Sequence, residues 1–594
     1  MHEEIKDLSL QLIKHRIDCA LGRCACELCL KNLKWVDVFS GEIVDNAEIF
    51  IDNGKIVDAG CHCQAKALKT VDLGGAYVAP GLIDAHVHIE SSMLSPVQFA
   101  RLIAPCGTTT IVADPHEIAN VLGLSGIRYM MQEAKKAEIN IRFMLPSCVP
   151  ATPFETSGAC LSAEDLSQLI DEPEVLGLAE LMNVPGVLNG DDDILKKVSM
   201  TLQRGKLIDG HSPLTSGAQL SAYRAAGVSS DHECSTQKEA YERISRGMTV
   251  FMREGSAGQN VSALAKTVNE ENSRCFCLCT DDASADDVYA KGHINNVIRR
   301  AVACSVKPIE AIRMATINTA QHFGLKGKGA VAPGYDADLV VFEDLENFQV
   351  HSTWVAGRQV ACHGKMLTDE PQLTTPSEAL STVHIQPVQN YDLTLRSHSG
   401  KVRVIGICAG DLVTEHLIES IKTDDRGCVN CRDNPGLLKL AVIERHHASG
   451  NIGLGLVKGY VREGSTLNGA VASTIAHDSH NIVVIGDNDE DMYAAIRAIE
   501  QMQGGVVLVR DEKVIESLPL EIGGLMTAQP AVKTARRKAR LIEAAHRLFN
   551  VKDDVHPVMT LSFLPLAVIP YLRVTDRGLF DSAEFSYVSF DIEN

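Results

Sequence analysis

Between residues 80 and 325 the chain repeats one rhythm. A short apolar, strand-like run ends in polar residues, and a helical pattern follows. The run ends are His86/His88, His116, Cys148, Glu180, His211, His232, Glu254 and Asp281, and from His88 the spacings are 28, 32, 32, 31, 21, 22 and 27 residues. Eight such units over this length are what a (β/α)8 barrel of about 250 residues requires, and a barrel of that kind carries its chemistry at the C-terminal ends of its strands. The polar residues fall there. The fold class expected is therefore α/β, a (β/α)8 TIM-like barrel.

The flanks read differently. Residues 30–78 alternate apolar and polar residues in short runs, including Trp35-Val36-Asp37-Val38-Phe39 and Ala47-Glu48-Ile49-Phe50-Ile51, and Asn53-Gly54 between two runs signals a hairpin. Similar runs return at 330–365, in Ala337-Asp338-Leu339-Val340-Val341-Phe342 and Ser352-Thr353-Trp354-Val355. We read the two pieces, 1–79 and 326–366, as one small split β-sandwich interrupted by the barrel at 80–325. Residues 366–385 are polar and contain Pro, Thr and Ser, as a linker does. Residues 386–594 form a further α/β (α+β) domain, with strand-like 402–407, 481–486 and 505–509 and a helix through 531–549.

Composition narrows the partners. The chain holds 56 Lys and Arg against 76 Asp and Glu, a formal charge of −20. Such a surface repels phosphate backbones, so neither nucleic acid nor an anionic membrane is the expected partner. No apolar run is long enough to span a bilayer, and the opening Met1-His2-Glu3-Glu4 is not a secretory signal. The eighteen cysteines are scattered, some inside apolar runs (Cys275, Cys277, Cys279), and read as reduced, buried, cytoplasmic thiols. Cys19, Cys24, Cys26 and Cys29, within a Cys-rich extension over 1–30, could form a metal site, although no second cluster with zinc-ribbon spacing completes it. Cys428-x-x-Cys431 reads as a surface-loop pair.

His86-Val87-His88 lies on the first strand of the repeat. Strand alternation puts both imidazoles on one face, about 6–7 Å apart, where they can grip one metal ion. Alone the pair says little. Here the other strand ends supply Glu180, His211, His232 and Asp281.

On these residues the chain resembles the amidohydrolase superfamily of metal-dependent hydrolases. The fourth strand, Val175-Leu176-Gly177-Leu178-Ala179-Glu180-Leu181, lacks the carboxylated lysine of the usual binuclear members. Glu180 takes its place, and a carboxylate can bridge two ions without modification. More closely, the chain resembles the bacterial adenine deaminase family. The segments are His88-Ile89-Glu90-Ser91-Ser92-Met93, Ala113-Asp114-Pro115-His116-Glu117, Asp209-Gly210-His211-Ser212-Pro213, Asp231-His232-Glu233, Met252-Arg253-Glu254-Gly255-Ser256, Thr280-Asp281-Asp282, and in the C-terminal region His446-His447-Ala448-Ser449-Gly450-Asn451 and Ala476-His477-Asp478-Ser479-His480-Asn481. The match runs from about residue 30 to the end; the N-terminal Cys-rich stretch departs from it.

The resemblance implies that His86, His88 and Asp281 hold one ion, His211 and His232 the other, with Glu180 bridging. It favours Mn²⁺ or Fe²⁺, and the donor set also suits Zn²⁺. It implies hydrolysis of adenine to hypoxanthine and ammonia in purine salvage, by attack of a metal-bridging hydroxide on C6 with Asp281 shuttling the proton. Glu90, Glu233, Arg253 and Glu254 are candidates to contact the purine edge. His116 is a substrate or extra-metal candidate, but Asp114-Pro115 before it also reads as a helix start with Asp as N-cap and Pro at N1. His477, Asp478 and His480 sit where a loop could reach over the barrel mouth, or form an ordinary polar turn. A cyclic-amide hydrolase of the hydantoinase or dihydroorotase type is the alternative enzyme, and would want the missing lysine. A metal-binding scaffold without activity is the non-enzyme alternative. Molecules of this size are often homodimers.

Overall fold

The computed structural model describes residues 2–592. It opens with helix α1 (His2–Ala20), followed by β1 (Ala25–Asp37), β2 (Glu42–Asp52), β3 (Lys55–Gly60), β4 (Lys66–Asp72) and β5 (Tyr77–Pro80). The β2–β3 hairpin turns at Asn53 and Gly54, both with positive φ (46° and 71°), as a tight turn between twisted strands requires. The returning piece, β15 (Leu339–Phe342), β16 (Val350–Val355), β17 (Arg358–Cys362) and β18 (Lys365–Met366), joins the first through antiparallel pairing of β15 with β5. The two flanks thus form one nine-stranded sheet among the described residues, closed around Leu30, Ile49, Val78, Leu339 and Trp354.

Between them lie the parallel strands β6 (Leu82–His88), β7 (Thr108–Ala113), β8 (Asn140–Leu145), β9 (Val175–Leu181), β10 (Leu207–Gly210), β11 (Ser230–Asp231), β12 (Thr249–Arg253) and β13 (Phe276–Cys279). A short β14 (Asp281–Asp282) continues β13 past Thr280 and pairs with β6, which closes the circle. Hydrogen bonding is interrupted between β10 and β11, so the ring divides into runs of six and three strands. All seven residues of β6 are buried, as expected of a strand with helices outside and packed side chains inside.

Helix α2 (His116–Ala134) follows β7 and corrects one expectation. Pro115 is not the first helical residue. It stands at the cap with non-helical φ −88° and ψ 38°, and the helix begins at His116. The Asp114 carboxylate still accepts the His116 backbone N–H, at 3.1 Å, and also meets the ring at Nδ1, 3.1 Å away. One aspartate therefore fixes both the turn and the imidazole.

The C-terminal region builds an eight-stranded, mostly antiparallel sheet from Lys401–Ile407 to Lys513–Pro519. Its strands obey a two-residue period. Ala441, Ile443, Ile482, Val484, Val507 and Val509 face the helix Asp489–Met502. Leu440, Val442, Val483, Ile485, Val506 and Leu508 face the other way, into an apolar cluster that also contains Ile118, Phe143 and Leu178 of the barrel. The sheet therefore buries both faces, the second beneath helix Pro557–Phe563 and strands Leu572–Thr575 and Gly578–Asp581, and the cluster continues from there into the barrel.

Candidate metal centre

Six of the strand-end side chains converge inside the barrel. His86 and His88 meet edge to face with ring centroids 4.8 Å apart, and His86 stacks on His232 at 4.4 Å. Glu180, at the end of β9, lies at the centre. Its Oε1 is 3.4 Å from His88 Nε2 and 3.4 Å from His116 Nδ1. Its Oε2 is 2.8 Å from His211 Nδ1 and 3.1 Å from His232 Nε2. The two oxygens thus face opposite halves of the cluster. Asp281 Oδ1 stands 3.2 Å from His88 Nε2 and 3.5 Å from His86 Nε2, while Oδ2 accepts from Arg253 Nη1 at 2.6 Å. Asp281 adopts φ +60°, a left-handed conformation uncommon outside glycine, at the break between β13 and β14.

The charges are set by this crowding. Burial alone would raise Glu180, but His211 and His232 hold it well below the ordinary carboxylate range. For Asp281, burial likewise pushes up, and Arg253, His86 and His88 win, so it too stays ionised. Burial lowers His211, yet Glu233 and Glu180 lift it to about 9. His88 is drawn well above its usual value against burial and His116, by Asp281 and Glu180.

A supporting layer orients the ligands. His88 Nδ1 meets the Asp114 carbonyl at 3.1 Å. Asp84 accepts the backbone N–H of His86 at 3.2 Å and of Thr280 at 3.1 Å, tying the first strand to the last. Asp231 accepts from the Glu233 N–H at 2.9 Å and from the fully buried Arg243 at 2.8 Å, and so braces the chain on both sides of His232. Asp84 and Arg243 were not singled out in the sequence; the apolar run containing Asp84 was the available signal, since a charge inside a buried strand needs a partner.

The remaining candidates separate. Glu233 approaches His232 Nε2 (3.4 Å) and pairs with Arg253, so both join the cluster. Glu90 is buried beside it; one oxygen accepts the Ile118 N–H at 3.1 Å, the other has no partner, and burial lifts the carboxyl to about 7. Glu254 turns away to Arg300 (3.1 Å) and lines a pocket of about 250 Å³ that contains none of the six central residues. His477 and His480 reach over from the C-terminal region and both meet Glu117, the former at 2.6 Å. Asp478 between them is buried, one of its oxygens lacks any partner, and burial raises it to about 6 despite His116. Glu117, next to His116, was quoted in the sequence only as part of a segment, and its partners lie 360 and 363 residues on, beyond any local pattern.

The donor set fits divalent metal. His86, His88 and Asp281, and likewise His86, Glu180 and His232, bring one ligand atom each within 4.8 Å of one another, and all are buried. His86 Nε2 points into this space with no hydrogen-bond partner. Two carboxylates and four imidazoles, with no thiolate, fill the coordination of one or two such ions.

A barrel with this inward cluster and a flanking sheet defines an amidohydrolase, and the Amidohydrolase family model matches residues 77–360. Residues 411–586 match the model of the adenine deaminase C-terminal domain. Along nearly the whole chain the likeness is closer still. An adenine deaminase of Nitratidesulfovibrio vulgaris (strain DP4) is 46% identical over 98% of this chain and 99% of its own length. One of Clostridium acetobutylicum is 44% identical over 97% of this chain and all of its own. Among solved structures, an adenosine deaminase from Xanthomonas campestris with bound zinc is 16% identical, covering 58% of this chain and 95% of that one at a TM-score of 0.44. The chain belongs to the adenine deaminase family, hydrolases that act on carbon–nitrogen bonds and rely on a divalent metal centre.

Proposed function

We propose that this chain hydrolyses free adenine to hypoxanthine and ammonia at the cluster around Glu180. The observation that carries the reading is the division of Glu180 itself. Its two oxygens serve two sets of imidazoles, His88 and His116 on one side, His211 and His232 on the other. His86, His88 and Asp281 would hold one ion, His211 and His232 the second, with Glu180 shared; Mn²⁺ or Fe²⁺ is the preferred occupant and Zn²⁺ an acceptable one. When bound, two such ions make water acidic enough to supply hydroxide at neutral pH.

This chain's own residues do the rest. Asp281, kept ionised by Arg253, takes the proton of the attacking water and returns it to the leaving amine, which cannot depart as an anion. Arg253 and Glu233 restrain that carboxylate and the adjacent imidazoles. Asp478, brought in by the C-terminal loop with one oxygen unpartnered, faces the same space as a hydrogen-bonding group for the purine edge, alongside Glu90. The loop excludes water above them. The eighteen free thiols support a reducing, cytoplasmic setting, and a homodimer acting on a small molecule completes the reading. No helix among the described residues is long and apolar enough to cross a membrane.

The test is metal-loaded enzyme, with Mn²⁺ counted per chain, assayed for ammonia from adenine and adenosine. Release from adenine at two ions per chain is expected. Turnover of neither compound by fully loaded enzyme would sink the proposal.

A further inference from the structure

Helix α1 is nineteen residues long, and its described side chains, from Ser9 onward, show the protein only a narrow face. Of its described side chains, Leu12, His15, Arg16, Asp18, Cys19 and Ala20 are at least partly covered, and only Cys19 is fully buried. Leu10, Ile13 and Ile17 are about half exposed. Apolar burial therefore explains little of why the helix lies where it does. The covered face carries a different kind of group. His15 and Cys19 are four residues apart, which on a helix places them one above the other. The chain then leaves the helix, turns at Gly22 with φ +66°, and returns Cys24 to the same point.

There the donor atoms crowd together. Cys19 Sγ lies 3.5 Å from His15 Nε2 and 3.4 Å from Cys24 Sγ, and Cys24 Sγ lies 3.6 Å from His15 Nδ1. Asp52, buried at the end of β2, puts Oδ2 3.3 Å from His15 Nε2. A tetrahedral zinc ion with bonds of about 2.3 Å to sulfur and about 2.0–2.1 Å to nitrogen or oxygen separates its ligand atoms by roughly 3.4–3.8 Å. The spacings around Cys19 and between His15 and Asp52 are close to that set, Cys24 meets the other ring nitrogen, and His15, Cys19 and Cys24 bring one donor atom each within 4.8 Å of one another. Cys24 Sγ also donates to the His15 carbonyl at 3.8 Å. Cys26 Sγ donates to the carbonyls of Lys66 and Leu28, and Cys63 Sγ to that of Gly60. Cys19 Sγ meets only His15 and Cys24.

We propose that His15, Cys19, Cys24 and Asp52 form a zinc site, separate from the catalytic cluster, that pins the N-terminal helix to the sheet. The ligand chemistry distinguishes the two places. The cluster around Glu180 offers nitrogen and oxygen alone, whereas this one offers two sulfurs, an imidazole and a carboxylate, the soft set that selects zinc. Binding displaces the two thiol protons and commits the His15 ring to one nitrogen as the ligand. The Asn53 side chain, donating to Asp52 Oδ2 at 2.7 Å, holds the carboxylate in place. The side chain of His15 is 41% exposed, so an ion can enter from solvent.

Cobalt reports the site without reference to activity. Full-length enzyme loaded with Co²⁺ should show a sulfur-to-cobalt charge-transfer band, which the thiolate-free catalytic cluster cannot produce. The C19S/C24S double variant should lose that band and one zinc equivalent per chain by elemental analysis, while its adenine turnover stays at the wild-type level. His15→Gln, on a half-exposed side chain that the core does not need, should give up its zinc to a chelator concentration that wild type withstands. Absence of the band in cobalt-loaded wild type overturns the proposal. So does equal zinc content in wild type and the double variant, so does equal resistance of wild type and His15→Gln to the chelator, and so does thiol titration that finds Cys19 and Cys24 joined as a disulfide in enzyme purified without oxidant.

Discussion

Single side chains here carry separable duties. Asp281 is a neighbour of His86 and His88 and, in the function proposed, the group that moves a proton. Asp281→Asn keeps the size and removes the basicity, so kcat should fall by about 10²–10⁴-fold, the range general acid–base catalysis supplies. Near-normal turnover with two ions bound would remove Asp281 from the mechanism. Glu180→Gln tests a different duty. A neutral amide cannot serve two ions with two anionic oxygens, so metal content should drop below two per chain, measured by elemental analysis, and activity with it. Protons compete for the same atoms. Without metal, Glu233 and Glu180 lift His211, against burial, to about 9. An ion must displace that proton, so Mn²⁺ affinity of the apoenzyme should rise between pH 7 and 9, roughly tenfold per unit for one displaced proton. Titration calorimetry in buffers of different ionisation heat measures the proton count, and a flat affinity across that range would show that His211 binds no ion.

At the scale of elements, the barrel and the C-terminal sheet are joined by a buried polar seam. Glu117 at the first turn of α2 meets His477 and His480 from the loop before strand Ile482–Gly486. Burial alone would raise Glu117, but His477, His480 and His116 hold it well below its ordinary 4.5; burial lowers His477, but Glu117 lifts it from 6.5 to about 9. The depressed Glu117 contributes stability above pH 4.5 and loses it on acidification. The raised His477 contributes below pH 6.5 and loses it as pH climbs through about 9. The seam is strongest between those limits. Glu117→Gln leaves a buried imidazolium without its partner, which costs about 3–5 kcal/mol. The Tm deficit of His477→Gln should be largest near pH 6 and vanish above pH 9; a deficit independent of pH would mean the loss is one of packing. Neither partner was legible as a partner in the sequence. The convergence of the strand-end side chains was, because a recurring strand-and-helix rhythm marks where barrel strands end, and strand alternation then assigns a face. Glu117 and His477 obey no such period. Their juxtaposition follows from how two sheets dock, and a local pattern carries no record of that. Glu254 shows the converse, since its strand-end position was legible but its turn toward Arg300 was not.

The whole molecule is held by continuity of its apolar interior. One cluster runs from Val87 and Phe143 in the barrel to Leu440, Ile485, Leu508 and Leu579 in the C-terminal region. The polar stretch 366–385 reads as a linker, and the two family models match residues 77–360 and 411–586. A boundary in sequence need not be one in stability. Leu440, Val442, Val483 and Ile485 are all fully buried in the cluster that continues into the barrel, and opening such a cluster to water costs free energy in proportion to the apolar area exposed. The second face of the sheet, against the helix Asp489–Met502, cannot compensate, because it is already filled. The C-terminal region also supplies His477, Asp478 and His480 to the barrel mouth, so losing it uncovers the metal cluster at the same time. Two consequences separate this view from that of independent domains. Calorimetry of the metal-loaded full chain should show one cooperative endotherm, with hydrogen exchange in β6–β9 and in Leu437–Ile443 slowed to the same global opening. A chain ending near residue 366 should bind an apolar dye and hold fewer than two ions. Two well-separated endotherms, or a truncated barrel that keeps both ions and its turnover, would show that the shared interior is contact without cooperation.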